Sequence, residues 1–448
     1  MTTLAADFKY ESITFQSPLV DELIELRDAV ALFEVQEDIR YPFTRAYMTL
    51  TDDQGFVAGV NITGGETISV VLKRISGTDG EESELISKKY FISKIKAVSK
   101  LTETSEGYIF ELYEDVLYES NLQNLNRAYT GNCSTIINKI AANYLDKEIN
   151  TTDNAKQSIK YIVPNLTPLE AMSQIAKRAT TEDGYPFYLY SSLVDTKLNF
   201  VDLGSMIEEP VINPNKPFVY SSAIAKHDVG QALQDFQRKI IKLFEHRDTD
   251  DLFTLINKGL IGSSYQFIDT TKDKLNKFQF DVFKELLDPI VKKGVLDPQQ
   301  NNVMYGPNFT FNDTPFNELS SRKITRIGGS SAFKSVAGEV FSLRETNTIA
   351  EYKHEVISRA MKDILIKAPL TIVVNGFDFI SGEANLTIGR KIDVEFLSSD
   401  AGVHPLYGER RNKKLSGSYL IYGSNHMFNR DNETHQVKLS LVKLGNYV

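Results

Sequence analysis

The sequence predicts a mainly β (β+α) protein: two related antiparallel β-barrels, with peripheral α+β domains outside them. Three observations carry this expectation. Aromatic residues make up 10% of the chain, 21 Tyr and 26 Phe without a Trp, and such side chains fit the half-buried, pleated surface of strands. Apolar and polar residues alternate over many short runs bounded by Gly, Asp and Asn turns. One strand pattern also occurs twice, far apart in the chain. At 448 residues the chain is too long for one core, so several domains are expected.

Taken in order, Ser17-Pro18 predicts a first helix: Ser caps, Pro takes the first helical position, and Leu19, Leu23, Leu26 and Val30 recur at helical spacing. From Phe33 the texture is strand. Ala46-Tyr47-Met48-Thr49-Leu50 is closed by the turn Thr51-Asp52-Asp53-Gln54-Gly55. A second turn at Gly64-Gly65 opens a strand in which Ile68, Val70 and Leu72 alternate with Thr67 and Ser69. Further strands fall around 90–98 and 108–113. Residues 1–116 thus read as one β unit with an N-terminal helix.

The next span, 117–209, reads as a separate α+β domain. Residues 134–147 form an amphipathic helix with Ile136, Ile137, Ile140, Tyr144 and Leu145 on one stripe. Thr167-Pro168-Leu169-Glu170 is a capping box, followed by the apolar face Leu169, Met172, Ile175, Ala176 and Ala179. Aromatic strands are expected at 185–190 and 198–201. Cys133, the only cysteine, has Ile136, Ile137 and Ile140 nearby and reads as a core residue; no intrachain disulfide and no cysteine-based zinc cluster can form. Residues 210–345 are read as the start of a second barrel with an inserted peripheral domain. Within them 251–258 is expected to be a short helix stopped by Gly259, followed by strands at 265–268 and 278–283, with loops around 288–310 and 328–332. Residues 346–448 hold a second capping box, Thr348-Ile349-Ala350-Glu351, its helix, and strands at 370–374, 392–396, 419–422 and 437–442.

The repeat gives the reading its shape. Gly65, Ile68, Val70 and Leu72 map onto Gly389, Ile392, Val394 and Phe396 at a constant offset of 324 positions, with Lys391, Asp393 and Glu395 at the outward places of the second copy. Tyr90 and Ile92 match Tyr419 and Ile421 at an offset of 329, a difference that a loop absorbs. Glycine turn, strand, long loop, aromatic strand, polar turn and closing strand follow in one order twice, as expected for two copies of a small closed β unit. Closure would also remove exposed edges. Three chains carrying two such units each would form a pseudo-sixfold ring with threefold symmetry.

The stretch Tyr41-Pro42-Phe43-Thr44-Arg45-Ala46, the strand ending in Asp52-Asp53 and Gly55, and Ile62-Thr63-Gly64-Gly65-Glu66-Thr67-Ile68 resemble the first tube domain of baseplate central hub proteins of contractile-tailed (T-even-like) bacteriophages. Leu166-Thr167-Pro168-Leu169-Glu170-Ala171, with 185–190 and Leu198-Asn199-Phe200, resembles that family's second segment. Gly417-Ser418-Tyr419-Leu420-Ile421 and Leu439-Ser440-Leu441-Val442 resemble its C-terminal barrel strands. Residues 218–345 match least. The resemblance implies a homotrimeric ring with two tube-like barrels per chain, seated between the tail tube or tube-initiator proteins and the central spike protein and surrounded by baseplate wedge proteins. The genome would pass through its channel without specific binding. The protein would belong to the virion tail, made in the host cytoplasm.

Catalytic and metal motifs fail on spacing. His354-Glu355-Val356-Ile357-Ser358 starts like a zinc-protease helix, but Ser358 stands where the second His is required. Gly64-Gly65-Glu66 and Gly328-Gly329-Ser330-Ser331 lack the Lys-Ser/Thr of a phosphate loop, and no Gly-x-Ser-x-Gly elbow occurs. Acidic pairs such as Asp52/Asp53 and Glu81/Glu82 read as solvated turns. The six histidines are scattered. No catalytic, cofactor or metal residue is therefore assigned. A cluster in the second unit, Arg410, Arg411, Lys413 and Lys414 beside Glu409, is a candidate docking loop for an acidic partner, though a loop that keeps the unit soluble explains it as well.

With 50 Lys+Arg against 59 Asp+Glu, the net charge is −9, which argues against a general affinity for nucleic acid or anionic membrane. No run approaches the roughly 18 apolar residues that cross a bilayer, and no secretory signal is visible at the N-terminus. The leading expectation is a non-enzymatic structural hub whose bore is acidic or neutral. Alternatives are the hub of a phage-like injection particle, or a tail-tip carbohydrate-binding or hydrolysing protein. The absence of Trp, a common sugar platform, weighs against the last.

Overall fold

The computed structural model describes residues 8–220, apart from 61, 76–84, 153–154, 156–157 and 215, then 239–246, 253, 257, separate strands between 263 and 342, and residues 349–365, 369–380, 386–397, 412 and 415–445. All of the expected helix at 251–258 except Phe253 and Asn257, which are helical, lies outside the described residues, as do 288–309 of the expected loop, the Thr348 cap and the basic residues Arg410, Arg411, Lys413 and Lys414.

The protein is mainly β. Its first strands are β1 (Phe8–Ser17), β2 (Val20–Glu25), β3 (Val30–Asp38), β4 (Arg45–Asp52), β5 (Thr67–Arg74), β6 (Ile86–Lys100) and β7 (Glu106–Glu114), with the short helix α1 (Phe56–Gly59) after β4. Several bury one face by alternation: Ala46, Met48 and Leu50 in β4, Ile68, Val70 and Leu72 in β5, Tyr108, Phe110 and Leu112 in β7. The helix expected from Ser17-Pro18 is not formed. The chain turns at Pro18 and returns as β2, with Phe15 opposite Ile24 and Ser17 opposite Val20. Leu19 and Leu23 stay 64% and 65% exposed: hairpin bonding to β1 satisfies the backbone, so helical spacing of the leucines has nothing to bury against.

The middle of the chain supplies α2 (Asp115–Asn121), β8 (Leu125–Asn132), α3 (Cys133–Tyr144), β9 (Ile149–Thr151), β10 (Ser158–Leu166), α4 (Pro168–Ala176), β11 (Phe187–Tyr190), β12 (Leu198–Asp202) and α5 (Leu203–Glu208). Asn132 caps α3 by accepting from the Ser134 N–H, and Thr167 with Glu170 closes the capping box of α4. Both helices bury their apolar faces, Ile136, Ile137 and Ile140 against Met172 and Ile175, in one core with Cys133, Phe187 and Phe200.

The remaining strands are β13 (Phe218–Tyr220), β14 (Leu243–His246), β15 (Ser263–Asp269), β16 (Lys274–Phe280), β17 (Thr310–Phe311), β18 (Thr314–Pro315), β19 (Arg322–Gly328), β20 (Ala332–Lys334), β21 (Val340–Ser342), β22 (Pro369–Asn375), β23 (Lys391–Phe396), β24 (Gly417–Asn429) and β25 (Thr434–Gly445), with α6 (Ile349–Leu365) before β22. Thirteen strands form a single sheet in the order β14-β22-β25-β24-β3-β4-β7-β6-β5-β1-β2, with β23 and then β13 joined at β24. All its ladders are antiparallel except β13 with β23.

Two separately closed barrels are not seen among the described residues; the main sheet is open, its end strands β14 and β2 unpaired with each other. The reason lies in β24. Its first residues pair with β23, Gly417 opposite Val394 and Leu420 opposite Lys391. Further on the same strand pairs with β3, Gly423 opposite Asp38 through Asn429 opposite Leu32. The edge of β3 that barrel closure would need is thus bonded to the other unit. The sheet still curls tightly. The Tyr10 hydroxyl, on β1, donates to the Phe428 carbonyl of β24 at 3.2 Å, and the Phe8 and Phe428 rings lie 5.1 Å apart. β1 to β7 enclose one apolar core, and β22 to β25 with α6 enclose another.

Candidate functional site

The feature to build from is the doubled strand pattern and the joint that fuses its copies. In the first copy β5, β6, β7 and β4 are successive neighbours; in the second, β23, β24, β25 and β22 are. Partner residues correspond. Ile68 faces Tyr90 as Ile392 faces Tyr419. Ala46, Met48 and Leu50 face Leu112, Phe110 and Tyr108; Leu370, Ile372 and Val374 face Leu441, Leu439 and Val437. Val70, Leu72, Val394 and Phe396 are buried on the same faces as Ile68 and Ile392. The outer neighbours of β4 and β22 are β3 and β14, so five strands run in one order in both copies. The sixth differs: β1 adds to β5 antiparallel, β13 to β23 parallel.

The glycine turns are not equivalent residue for residue. Gly389 takes a positive φ of 80°, whereas in the first copy Gly64, not Gly65, does so at 97°. A Cβ on Gly389 would stand 2.9 Å from the Tyr190 hydroxyl, so the second turn needs glycine both for its backbone and for the approach of β11. The Glu66 carboxylate closes the first turn, accepting the Thr63, Gly64 and Gly65 N–H groups. Burial raises its pKa, yet those bonds prevail and hold it below the usual range. In the second copy the outward residues are partly buried. Lys391 donates to the Ile207 carbonyl at 2.6 Å, and Asn213 brackets the Asp393 backbone. Burial lowers the Lys391 pKa and raises that of Asp393.

At the joint, charge is buried. Glu37 of β3 accepts from the Ser424 hydroxyl and the Leu193 N–H, and its Oε2 stands 3.2 Å from His426 Nε2. His426 Nδ1 lies 3.0 Å from His435 Nε2, and the His435 ring stacks on Phe428 at 4.3 Å. Desolvation pushes Glu37 up, but His426, Ser424 and the Leu193 N–H outweigh it and hold the carboxyl below its ordinary range. Burial, with the neighbouring His426 second, lowers His435 well below 6.5. Backbone crowding fixes the arrangement: a Cβ on Gly376 would fall 2.2 Å from His435 Nδ1, and one on Gly423 3.3 Å from the Glu37 carbonyl. The expectation of scattered histidines is corrected here. His426 and His435 flank the β24–β25 turn on the same face, a cue present in the sequence.

A second buried pair, missed by sequence reading, ties the 191–195 segment to the first copy. Lys88 Nζ meets Glu114 Oε1 at 2.8 Å and the Asp195 carbonyl at 2.8 Å. Glu114 also accepts from Ser191 Oγ at 2.9 Å and from the Thr44 N–H at 2.8 Å. Burial raises the Glu114 pKa, but Lys88 and these donors bring it below the usual range.

The chemistry of the joint is structural: a buried carboxylate held by hydrogen-bond partners from β24 and from the 191–195 segment. Among the described residues no group of three or more His, Cys, Asp or Glu is placed to hold a metal ion, and no helix is long and apolar enough to cross a membrane. His354 Nδ1 lies 3.5 Å from Thr180 Oγ1.

No family model matches the sequence, and no curated protein does. Solved structures do. The tail protein from Neisseria meningitidis MC58 superposes with a TM-score of 0.52 at 13% identity, covering 98% of this chain and 96% of that one. The 43 kDa tail protein of prophage MuSo2 from Shewanella oneidensis gives 0.51 at 10% identity, covering 96% and 98%. Over nearly its whole length, then, this chain has the fold of phage tail proteins.

Proposed function

We propose that the chain is a structural baseplate hub, three copies forming a pseudo-sixfold ring that joins a hexameric tail tube to a trimeric central spike. The observation that carries this reading is the doubling of one five-strand order with matched partner residues, fused through β24. A chain that presents the same curled sheet twice supplies six similar units from three copies, which reconciles sixfold and threefold neighbours. The likeness to tail proteins supports it.

On this reading the tube domains are 1–116 and the second unit built from 210–345 and 346–448, the peripheral domain being 117–209. Neighbours would be the spike, tube or tube-initiator proteins and wedge proteins, the first of them meeting the ends of the ring. The protein does mechanical rather than catalytic work, in the virion tail. Genome would pass through a bore that is acidic or neutral, so that like charge keeps DNA from adhering within a Debye length of roughly 8 Å. The test is native mass spectrometry of the purified chain, alone and with its spike protein. A trimer in either sample is expected; a monomer in both overturns the reading, and a basic bore in the assembled ring overturns the charge argument.

A further inference from the structure

Away from the doubled sheet, α6 packs beside α4 and β11 over a cavity of ≈ 340 Å³. Its apolar wall includes Ile39, Ala176 and Leu189, while Lys177, Arg359 and Lys362 line it against one carboxylate, Glu355. A further cation there, Arg40, is already held by both oxygens of Asp38. Lys362 is half-buried as a residue, its ammonium 4.9 Å from the Tyr188 ring and donating to the Phe187 carbonyl at 3.3 Å.

We propose that this cavity binds an organic carboxylate with an apolar or aromatic arm, the carboxylate on the Lys362 ammonium and the arm against Ile39, Ala176 and Leu189. An ammonium carries three donors, and the Phe187 carbonyl takes one, leaving two for the guest. Three cations facing one carboxylate make the cavity electropositive, and its mostly apolar wall lowers the local dielectric around an ion pair at the Lys362 ammonium. Inorganic phosphate fits worse: it is recognised by converging forks and backbone N–H groups, whereas here one deep ammonium meets hydrocarbon. The Lys362 pKa is pushed down to about 8, by burial first and by the Lys177 charge second, a penalty that a bound anion would relieve. The carboxylate could belong to a free small molecule or to a peptide chain end.

Calorimetry on the full chain at pH 7 tests this with 3-phenylpropionate, 3-phenylpropanamide, inorganic phosphate, and a Phe-terminated tetrapeptide as free acid and as amide. The acid is expected to bind about tenfold more tightly than its amide, as one charge-assisted hydrogen bond implies, and Lys362→Met should erase that preference. Tighter binding of the free-acid peptide than of phenylpropionate assigns the guest to a chain end; the reverse assigns it to a small molecule. Should Lys362→Met not fold, Lys177→Ala/Arg359→Ala, both at exposed positions, should weaken the acid about threefold at low salt. Equal binding of acid and amide, binding of phosphate as tight as the acid, or unchanged affinity in the folded variants overturns the proposal.

Discussion

His435 is buried on every side at the β24–β25 hairpin, with Phe428 stacked on its ring, Gly376 against its Nδ1, and His426 followed by Glu37 on its Nε2 side. Its folded-state pKa lies well below 6.5, burial being the main cause. The sign follows. A depressed pKa contributes stability that is intact above the unfolded value of about 6.5 and drains away as pH falls, because the unfolded chain takes up a proton the folded one refuses. Each unit below 6.5 costs about 1.4 kcal/mol, so going from pH 7.5 to 5.0 should remove about 2 kcal/mol. Glu37, whose pKa is also lowered, is silent in this window, since its contribution is lost only below the ordinary carboxylate range. The readout is amide hydrogen exchange of β24 and β25, corrected for intrinsic rates, which reports the local opening free energy. His435→Gln should start less stable and lose about 2 kcal/mol less over the same interval. An equal acid loss in wild type and variant would refute the assignment of the buried imidazole as its source.

Three further outcomes follow from the geometry. Gly376→Ala places a methyl inside the His435 ring and should cost about 3 kcal/mol or more, read as a fall in the denaturation midpoint; an unchanged midpoint contradicts the packing described. Lys88→Met strands the Glu114 charge and should cost about 3–5 kcal/mol, whereas Lys88→Met/Glu114→Gln should recover part of it by urea titration. Because Glu114 is held low, its contribution is present at neutral pH and is lost as pH drops through the range below about 4.5. Ile68→Ala and Ile392→Ala, at matched buried sites, should each cost about 2–5 kcal/mol, with exchange rising first in the altered copy.

Much of this fold was legible because the relevant signals are local. The Thr167/Glu170 box, the Ile136–Ile137–Ile140 stripe, and the alternation of Ile68–Val70–Leu72 and Ile392–Val394–Phe396 each sit within one element. What stayed hidden depended on partners distant in sequence or on interrupted periodicity. β1 buries Phe8, Tyr10, Ile13 and Phe15, but a register shift between Tyr10 and Ser12 breaks the period of two. Pro18 looks the same at a helix start and in a tight turn, and only pairing with β1 decides. Nothing near Val35 announces His426 opposite it, so the open, shared sheet could not be read in place of two closed barrels. Nothing local marks Lys88 and Glu114 as a buried pair, because the 191–195 segment that desolvates them is distant in sequence.

The double engagement of β24 has a mechanical consequence. Where two modules are strung on a flexible tether, each can pivot independently and a ring of them breathes. Here the backbone from Gly417 to Asn429 runs without interruption from one ladder into the next. Twisting one module against the other must therefore shear several hydrogen bonds at once, with the bulge beside Gly423 as the place where the strand can bend. An axial load would pass along this strand as along a dowel, keeping both modules at one pitch.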